Sequence, residues 1–95
     1  MTNERQIEKY LIDQIEKLGG KCLKFLGTIT GVPDRIILLP DGSVWFVEVK
    51  RPDGKLSPRQ EVVIKEFIKL KQNVIVLKSK EDICNFIHTI TKSTR

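Results

Sequence analysis

The sequence predicts an α/β domain in which helices flank a mixed four-stranded sheet. Apolar residues recur at helical spacing in three segments, and four short runs rich in β-branched and aromatic residues lie between those segments. The chain has 95 residues, which is enough for one domain and no more. The predicted element order is therefore αβββαβα, in a single domain covering residues 1–95.

The first predicted element is an amphipathic helix from Asn3 to Leu18. Asn3 is a favourable cap, and Gln6 stands in the capping-box position. Apolar residues follow the helical period inside this segment at Ile7, Leu11, Ile15 and Leu18. The pair Gly19-Gly20 ends the helix.

Three strands are predicted next. The first covers Lys21–Phe25 and is followed by a loop over Gly27–Pro33. Arg35–Leu39 and Val44–Lys50 then form a hairpin. Pro40-Asp41-Gly42 joins these two strands and is typical of a three-residue loop, a type I turn followed by glycine in the left-handed conformation.

Two helices and one strand complete the chain. Ser57 caps the second helix, which has Pro58 at its first position and runs to about Leu70 or Lys71. Val74–Leu77 is the fourth strand. The last helix is predicted to have Ser79 as its cap and Ile83, Ile87 and Ile90 on its inner face.

Composition narrows the function classes. Seventeen Lys and Arg against twelve Asp and Glu give a net charge of +5, which fits a polyanionic partner such as DNA, although small basic domains without such a partner are also common. Cys22 and Cys84 match no zinc or disulfide pattern, and both are predicted to be buried thiols in a reducing compartment. No apolar run approaches the roughly 20 residues of a membrane span, so a cytoplasmic protein is expected.

The hairpin loop sets the register of the strands around it. A three-residue loop pairs Leu39 with Ser43, and counting outward places Asp34 opposite Glu48. Directly opposed side chains share one face of a sheet with their Cβ atoms about 5 Å apart. Lys50, two residues beyond Glu48, lies on that same face.

Two opposed carboxylates among apolar strand residues are unfavourable, and the single charge of Lys50 does not balance them. A single divalent cation held by Asp34 and Glu48 would balance both negative charges. The alternative is a strand end whose charges project into water. A two-residue loop would instead oppose Asp34 to Val49 and weaken the case for a metal site.

Two helical residues converge on the same region. Glu8 precedes the apolar positions of the first helix and is predicted to face inward, although it could instead extend to water at the edge of that face. Gln60 has the same relation to the apolar stripe of the second helix. Because Ser57-x-x-Gln60 is also a capping box, capping and a role in the site are equally compatible with its spacing. Lys24 could reach either solvent or the site.

These residues resemble a known family. Gly31-Val32-Pro33-Asp34, Phe46–Lys50 and Ser57–Gln60 resemble motifs of the PD-(D/E)xK nuclease superfamily and, more narrowly, of the VRR-NUC (virus-type replication-repair nuclease) domain. The resemblance spans about residues 6 to 90 and is closest to the minimal stand-alone form that phages and other mobile elements carry. It implies a restriction-endonuclease-like αβββαβα core.

The resemblance also implies an activity, a phosphodiesterase that depends on Mg²⁺ or Mn²⁺. Asp34 and Glu48 would bind the metal, with the backbone carbonyl of Val49 as a further ligand. Lys50 would orient or activate the attacking water and stabilise charge on the phosphate. Glu8 would bind the metal directly or through water, and Gln60 would support the site.

The expected function is a structure-selective DNA endonuclease that acts on branched DNA such as Holliday junctions. A homodimer is expected, because a four-way junction needs two symmetric cuts to be resolved and a C₂ dimer presents two sites of matching symmetry. Two alternatives remain at this point: a non-catalytic nucleic-acid-binding domain, and a nuclease subunit that a partner protein targets.

Overall fold

The structure of the protein is a computed structural model, and it describes residues 3–92. Its elements are α1 (Glu4–Lys17), β1 (Lys21–Lys24), β2 (Arg35–Leu38), β3 (Val44–Val49), α2 (Pro58–Lys69), β4 (Val74–Leu77) and α3 (Lys80–Lys92). This order confirms the predicted αβββαβα arrangement. The predicted domain limits include residues 1, 2 and 93–95, which lie outside the described residues.

The four strands form one sheet in the order β1-β2-β3-β4. Neighbouring strands from β1 to β3 run antiparallel, whereas β4 runs parallel to β3. A parallel neighbour requires a crossover connection, and α2 supplies it. The sheet is therefore mixed, as predicted.

The hairpin between β2 and β3 has the predicted register. The amide of Leu39 donates to the carbonyl of Ser43 at 3.0 Å, and Ile36 lies opposite Phe46. Gly42 has φ of +89°, a left-handed conformation that glycine adopts without a steric penalty. The three-residue loop is confirmed.

The two faces of the sheet are covered differently. Helices α1 and α3 cover one face and enclose the main core, which includes Ile7, Leu11, Ile15, Ile37, Val47, Val49, Leu77, Ile83, Phe86 and Ile90. Helix α2 lies against the other face, where the ring of Phe67 packs edge-on against Phe46 at 5.1 Å and Phe46 in turn contacts Phe25. Because side chains alternate along β3, Glu48 shares the α2 face with Phe46.

The helix termini follow the predicted signals. Asn3 with Gln6 forms a capping box at α1, and Ser57 with Gln60 forms one at α2. Helix α2 ends slightly before the predicted Leu70 or Lys71, because Leu70 is its C-cap and Lys71 has φ of +65°.

One prediction about α3 needs correction. Cys84 is exposed rather than buried, since the buried stripe of this helix runs through its neighbours Ile83 and Phe86. The predicted inner-face residues Ile83 and Ile90 lie in the core and Ile87 packs against it, and Phe86 joins them with its ring edge-on against Trp45 at 5.0 Å. Cys22 is buried as predicted, and both cysteines are free thiols. Within residues 3–92, none of the helices has both the length and the hydropathy needed to cross a bilayer.

Candidate active site

The predicted site lies where β2 begins and β3 ends, beside the first turn of α2. Arg35 opposite Val47 is the outermost pair of the β2–β3 ladder, and continuing that register by one residue places Asp34, directly before β2, opposite Glu48. The Asp34 side chain turns toward β3, where its Oδ1 accepts a hydrogen bond from the Val49 amide at 3.3 Å. The two carboxylates are therefore neighbours, as the register predicts.

Glu48 is the buried member of the pair, with 4% of its surface exposed. Its Oε2 accepts a hydrogen bond from Gln60 Nε2 at 3.0 Å and lies 3.5 Å from Lys50 Nζ. Its Oε1 is buried and has no hydrogen-bond partner among residues 3–92. Burial raises the pKa of Glu48 to about 7, with a further increase from the charge of Asp34 and a partial reduction from Lys50.

Asp34 is half-buried and shows the same electrostatic conflict. Burial raises the pKa of Asp34, the hydrogen bond from the Val49 amide lowers it, and the negative charge of Glu8 raises it again. Both carboxyl groups therefore have raised pKa values and lack a full positive counter-charge.

Gln60 makes contacts that are compatible with both of the roles that its spacing allows. Its side-chain Oε1 accepts a hydrogen bond from the backbone amide of Ser57 at 2.9 Å, and its backbone amide donates to Ser57 Oγ at 3.1 Å. The same side chain directs Nε2 at Glu48. A terminal amide has one acceptor oxygen and a separate donor nitrogen, so capping and support of the carboxylate do not compete.

Glu8 faces inward as predicted. It forms an ion pair with Arg35, which was not among the predicted site residues. Arg35 Nε lies 2.7 Å from Glu8 Oε2, and both side chains are largely buried. In the part of the chain that the structure describes, no three His, Cys, Asp or Glu side chains form a group that could hold a metal ion. The structure thus brings Asp34, Glu48, Lys50 and Gln60 together, and it ties Glu8 to Arg35.

The sequence does contain a signal for Arg35. The predicted register opposes Arg35 to Val47, which is fully buried on the α1 face of the sheet. An arginine at such a position needs an acidic partner, and Glu8 is the inward-facing acid of α1. Lys24, which by its sequence position could reach either solvent or the site, lies directly across from Arg35 on that same face and is exposed.

The donor set suits a hard divalent cation. Carboxylate oxygens are the preferred ligands of Mg²⁺, and Asp34 and Glu48 present them side by side. The unpartnered Oε1 of Glu48 and the raised pKa values of both groups are what an absent positive charge would produce. The residues present therefore fit a divalent cation.

Comparisons with known proteins agree with this geometry. The sequence model of the VRR-NUC domain family matches residues 4–81, a span that includes every candidate site residue. A protein named "Putative nuclease p44", from Acyrthosiphon pisum secondary endosymbiont phage 1, is 39% identical over 82 residues, covering 85% of this chain and 88% of the phage protein. A solved structure described as "VRR_NUC domain" is 34% identical and superposes with a TM-score of 0.85, covering 93% of this chain and 97% of the other. With its predicted motifs, its fold and these matches in agreement, the chain belongs to the VRR-NUC domain family.

Proposed function

We propose that this chain is a structure-selective DNA endonuclease that depends on Mg²⁺ or Mn²⁺ and acts on branched DNA such as Holliday junctions. Membership of the VRR-NUC family and the name of the phage relative both support a nuclease. The observation that carries metal-dependent hydrolysis is the buried Glu48, whose Oε1 has no partner within residues 3–92, next to Asp34.

Asp34 and Glu48 would hold the cation, together with the backbone carbonyl of Val49. The bound cation would neutralise the two carboxylates and act as a Lewis acid toward a phosphate oxygen. Gln60 leaves Glu48 Oε1 available for this purpose, because it donates to Oε2.

In this proposal, Lys50 acts on the substrate. Its side chain is 20% exposed, so the ammonium group is held near Glu48 but remains accessible from solvent. From that position it would orient the attacking water and stabilise the negative charge that develops on the phosphate. An ammonium group in a partly desolvated site stabilises such charge more strongly than it does in bulk water.

The net charge supports a DNA partner, and the symmetry of a junction supports a homodimer. The net charge of +5 favours a polyanion, and the affinity is expected to weaken steeply as salt rises. A four-way junction is resolved by two symmetric cuts, and a C₂ homodimer presents two sites with matching symmetry.

The test compares junction, flap, nicked, duplex and single-stranded DNA, each with Mg²⁺, Mn²⁺ or EDTA. We expect cleavage of branched DNA that EDTA abolishes. Asp34→Asn, Glu48→Gln and Lys50→Ala should each remove cleavage while the fold is retained. Asp13→Asn, which removes an exposed carboxylate paired with Lys9, is the matched control and should cleave normally.

Two results would overturn the proposal. Undiminished cleavage by Asp34→Asn or Glu48→Gln would refute the site. Binding of every DNA without cleavage under either metal would instead indicate a non-catalytic binding domain.

A further inference from the structure

We propose that Arg59 is a positioning residue, which fastens the loop preceding Asp34 to the first turn of α2 and so keeps Asp34 in place beside Glu48. The expected consequence for metal affinity rests on the proposed function. The effect on the position of Asp34 does not.

The contact joins two segments that are distant in sequence. Arg59 Nε donates a hydrogen bond to the Thr30 carbonyl at 3.3 Å, across 29 residues. The adjacent Gly31 packs directly on the same arginine. A Cβ atom at Gly31 would lie 2.9 Å from Arg59 Cγ, closer than such atoms approach, and 3.0 Å from the Arg59 carbonyl oxygen, an unusually tight contact. Gly31 also has φ of +97°, so this position favours glycine for two independent reasons.

A short and conformationally restricted segment connects this contact to the site. Only Val32 and Pro33 separate Gly31 from Asp34, and Pro33 is fully buried with its φ fixed by the ring. At the other end of the loop, the Phe25 amide donates to the Asp34 carbonyl at 2.9 Å. The backbone of Asp34 is thus tied on one side to Phe25, the residue that follows β1, and on the other side, through Gly31, to α2.

The first turn of α2 consequently controls both carboxylates. Arg59 contacts the loop that carries Asp34, and the next residue, Gln60, donates to Glu48. Because the two carboxylates repel each other, the backbone must keep them close in the metal-free protein. Without the Arg59 contact the loop can drift outward, which relieves the repulsion and separates the two metal ligands.

A different role for Arg59 is a direct contact with a DNA phosphate, since the side chain is exposed. The two roles predict different measurements. A phosphate contact depends on the positive charge and affects DNA binding alone. A positioning role affects Asp34 in the absence of DNA, and Gly31→Ala should reproduce it without any change of charge.

The Val49 amide is a metal-free reporter of the position of Asp34, because it donates to Asp34 Oδ1. Its hydrogen exchange is measured in the metal-free protein, with amides in the middle of β3 as internal references. Ca²⁺ binding without DNA is measured by calorimetry. The variants are Arg59→Met, Arg59→Lys and Gly31→Ala, with Lys65→Met as the control that removes one exposed charge from the same helix.

In Arg59→Met, we expect Ca²⁺ affinity to fall about tenfold, the loss typical of a group that orients a metal ligand. Exchange at Val49 should rise by about fivefold relative to the reference amides, since local opening becomes easier. Gly31→Ala should show both effects, and the double variant should be no worse than the more affected single variant. Arg59→Lys can still donate to Thr30 and should recover part of both losses, while Lys65→Met should show neither.

Unchanged Val49 exchange in both Arg59→Met and Gly31→Ala would overturn the proposal. So would a loss confined to DNA affinity that Arg59→Lys restores, because that pattern identifies a phosphate contact. If the wild-type protein binds no Ca²⁺, Mg²⁺ or Mn²⁺, the proposed function fails, and the Val49 exchange rates still decide whether Arg59 positions Asp34.

Discussion

At the scale of single residues, Glu48 carries a buried carboxyl group whose charge the protein compensates only in part. This carboxyl group is buried beside Asp34, and one of its oxygens has no hydrogen-bond partner within residues 3–92. Lys50 and Gln60 both contact the other oxygen, so neither satisfies Oε1. The ionised form is therefore destabilised in the folded protein, as its raised pKa shows.

The first prediction concerns Glu48 and pH. The pKa of Glu48 rises from 4.5 in the unfolded chain to about 7 in the folded protein. Between these values the folded state binds the proton more tightly, so the contribution of Glu48 to the free energy of unfolding falls as pH rises from about 4.5 to about 7, and then stays low. Glu48→Gln remains neutral and avoids this loss.

Glu48→Gln should therefore raise the melting temperature of the metal-free protein at about pH 8, by the equivalent of about 1–3 kcal/mol, and change it little at about pH 5. Circular dichroism melts of wild type and variant in EDTA measure the difference. A variant less stable than wild type at the higher pH would contradict the buried, uncompensated charge.

The second prediction separates the two roles of Gln60. Ser57→Ala removes the capping bond that Ser57 Oγ accepts from the backbone amide of Gln60 and leaves the bond from Gln60 to Glu48. Gln60→Ala removes the other capping bond, which Gln60 Oε1 accepts from the Ser57 amide, together with the bond to Glu48. Both variants should lose about 1 kcal/mol of stability, as is typical when a helix cap is lost. Only Gln60→Ala should also lower turnover at saturating metal, by about tenfold or more. Equal turnover in the two variants would leave Gln60 with a capping role only.

At the scale of elements, the ion pair between Glu8 and Arg35 joins α1 to the start of β2. The two side chains are 25% and 13% exposed, so the pair is mostly shielded from water. It lies on the opposite face of the sheet from Phe46 and Glu48, since Arg35 pairs with Val47. Helix α1 thereby contacts the residue directly after Asp34.

The third prediction is a double-mutant cycle on this pair. Arg35→Met leaves the Glu8 carboxylate shielded without its partner and should cost about 1–3 kcal/mol in urea unfolding. Combining it with Glu8→Gln should recover part of that loss, because no charge is then left unpaired. Strictly additive losses would show that the pair does not couple α1 to β2.

At the scale of the whole molecule, α2 covers only part of its face of the sheet. Leu23 and Leu38 share that face at the β1–β2 end and are 44% and 38% exposed. The loop between these strands adds Leu26 and Ile29, which are 83% and 49% exposed. These four exposed apolar residues, on β1, on β2 and in the loop before Asp34, are the candidate interface patch.

The fourth prediction is that this patch forms the interface of a homodimer. Light scattering at micromolar concentration should give about twice the 10.9 kDa chain mass. Leu23→Asp should yield a monomer that makes no paired junction cuts. Val62→Asp, at an equally exposed apolar position on α2, is the control and should remain dimeric. A strict monomer that still makes paired cuts would refute the dimer mechanism.

Local signals in the sequence determined most of the fold and the centre of the site. The loop from Leu39 to Ser43 sets the strand register, and the alternation of side chains along a strand then places Asp34, Glu48 and Lys50 on one face. The capping residues Asn3 and Ser57 similarly mark where helices begin. These inferences hold because each depends on residues only a few positions apart, whose backbone geometry restricts the outcome.

Only the tertiary structure decided the contacts between distant segments. Arg35 meets Glu8 across 27 residues, and Arg59 meets Thr30 across 29. Gln60 reaches Glu48 while it also caps α2, and the sequence could present these two roles only as alternatives. Such contacts depend on how helices dock against the sheet, and docking is set by the packing of the whole core rather than by the period or turn chemistry of any one segment.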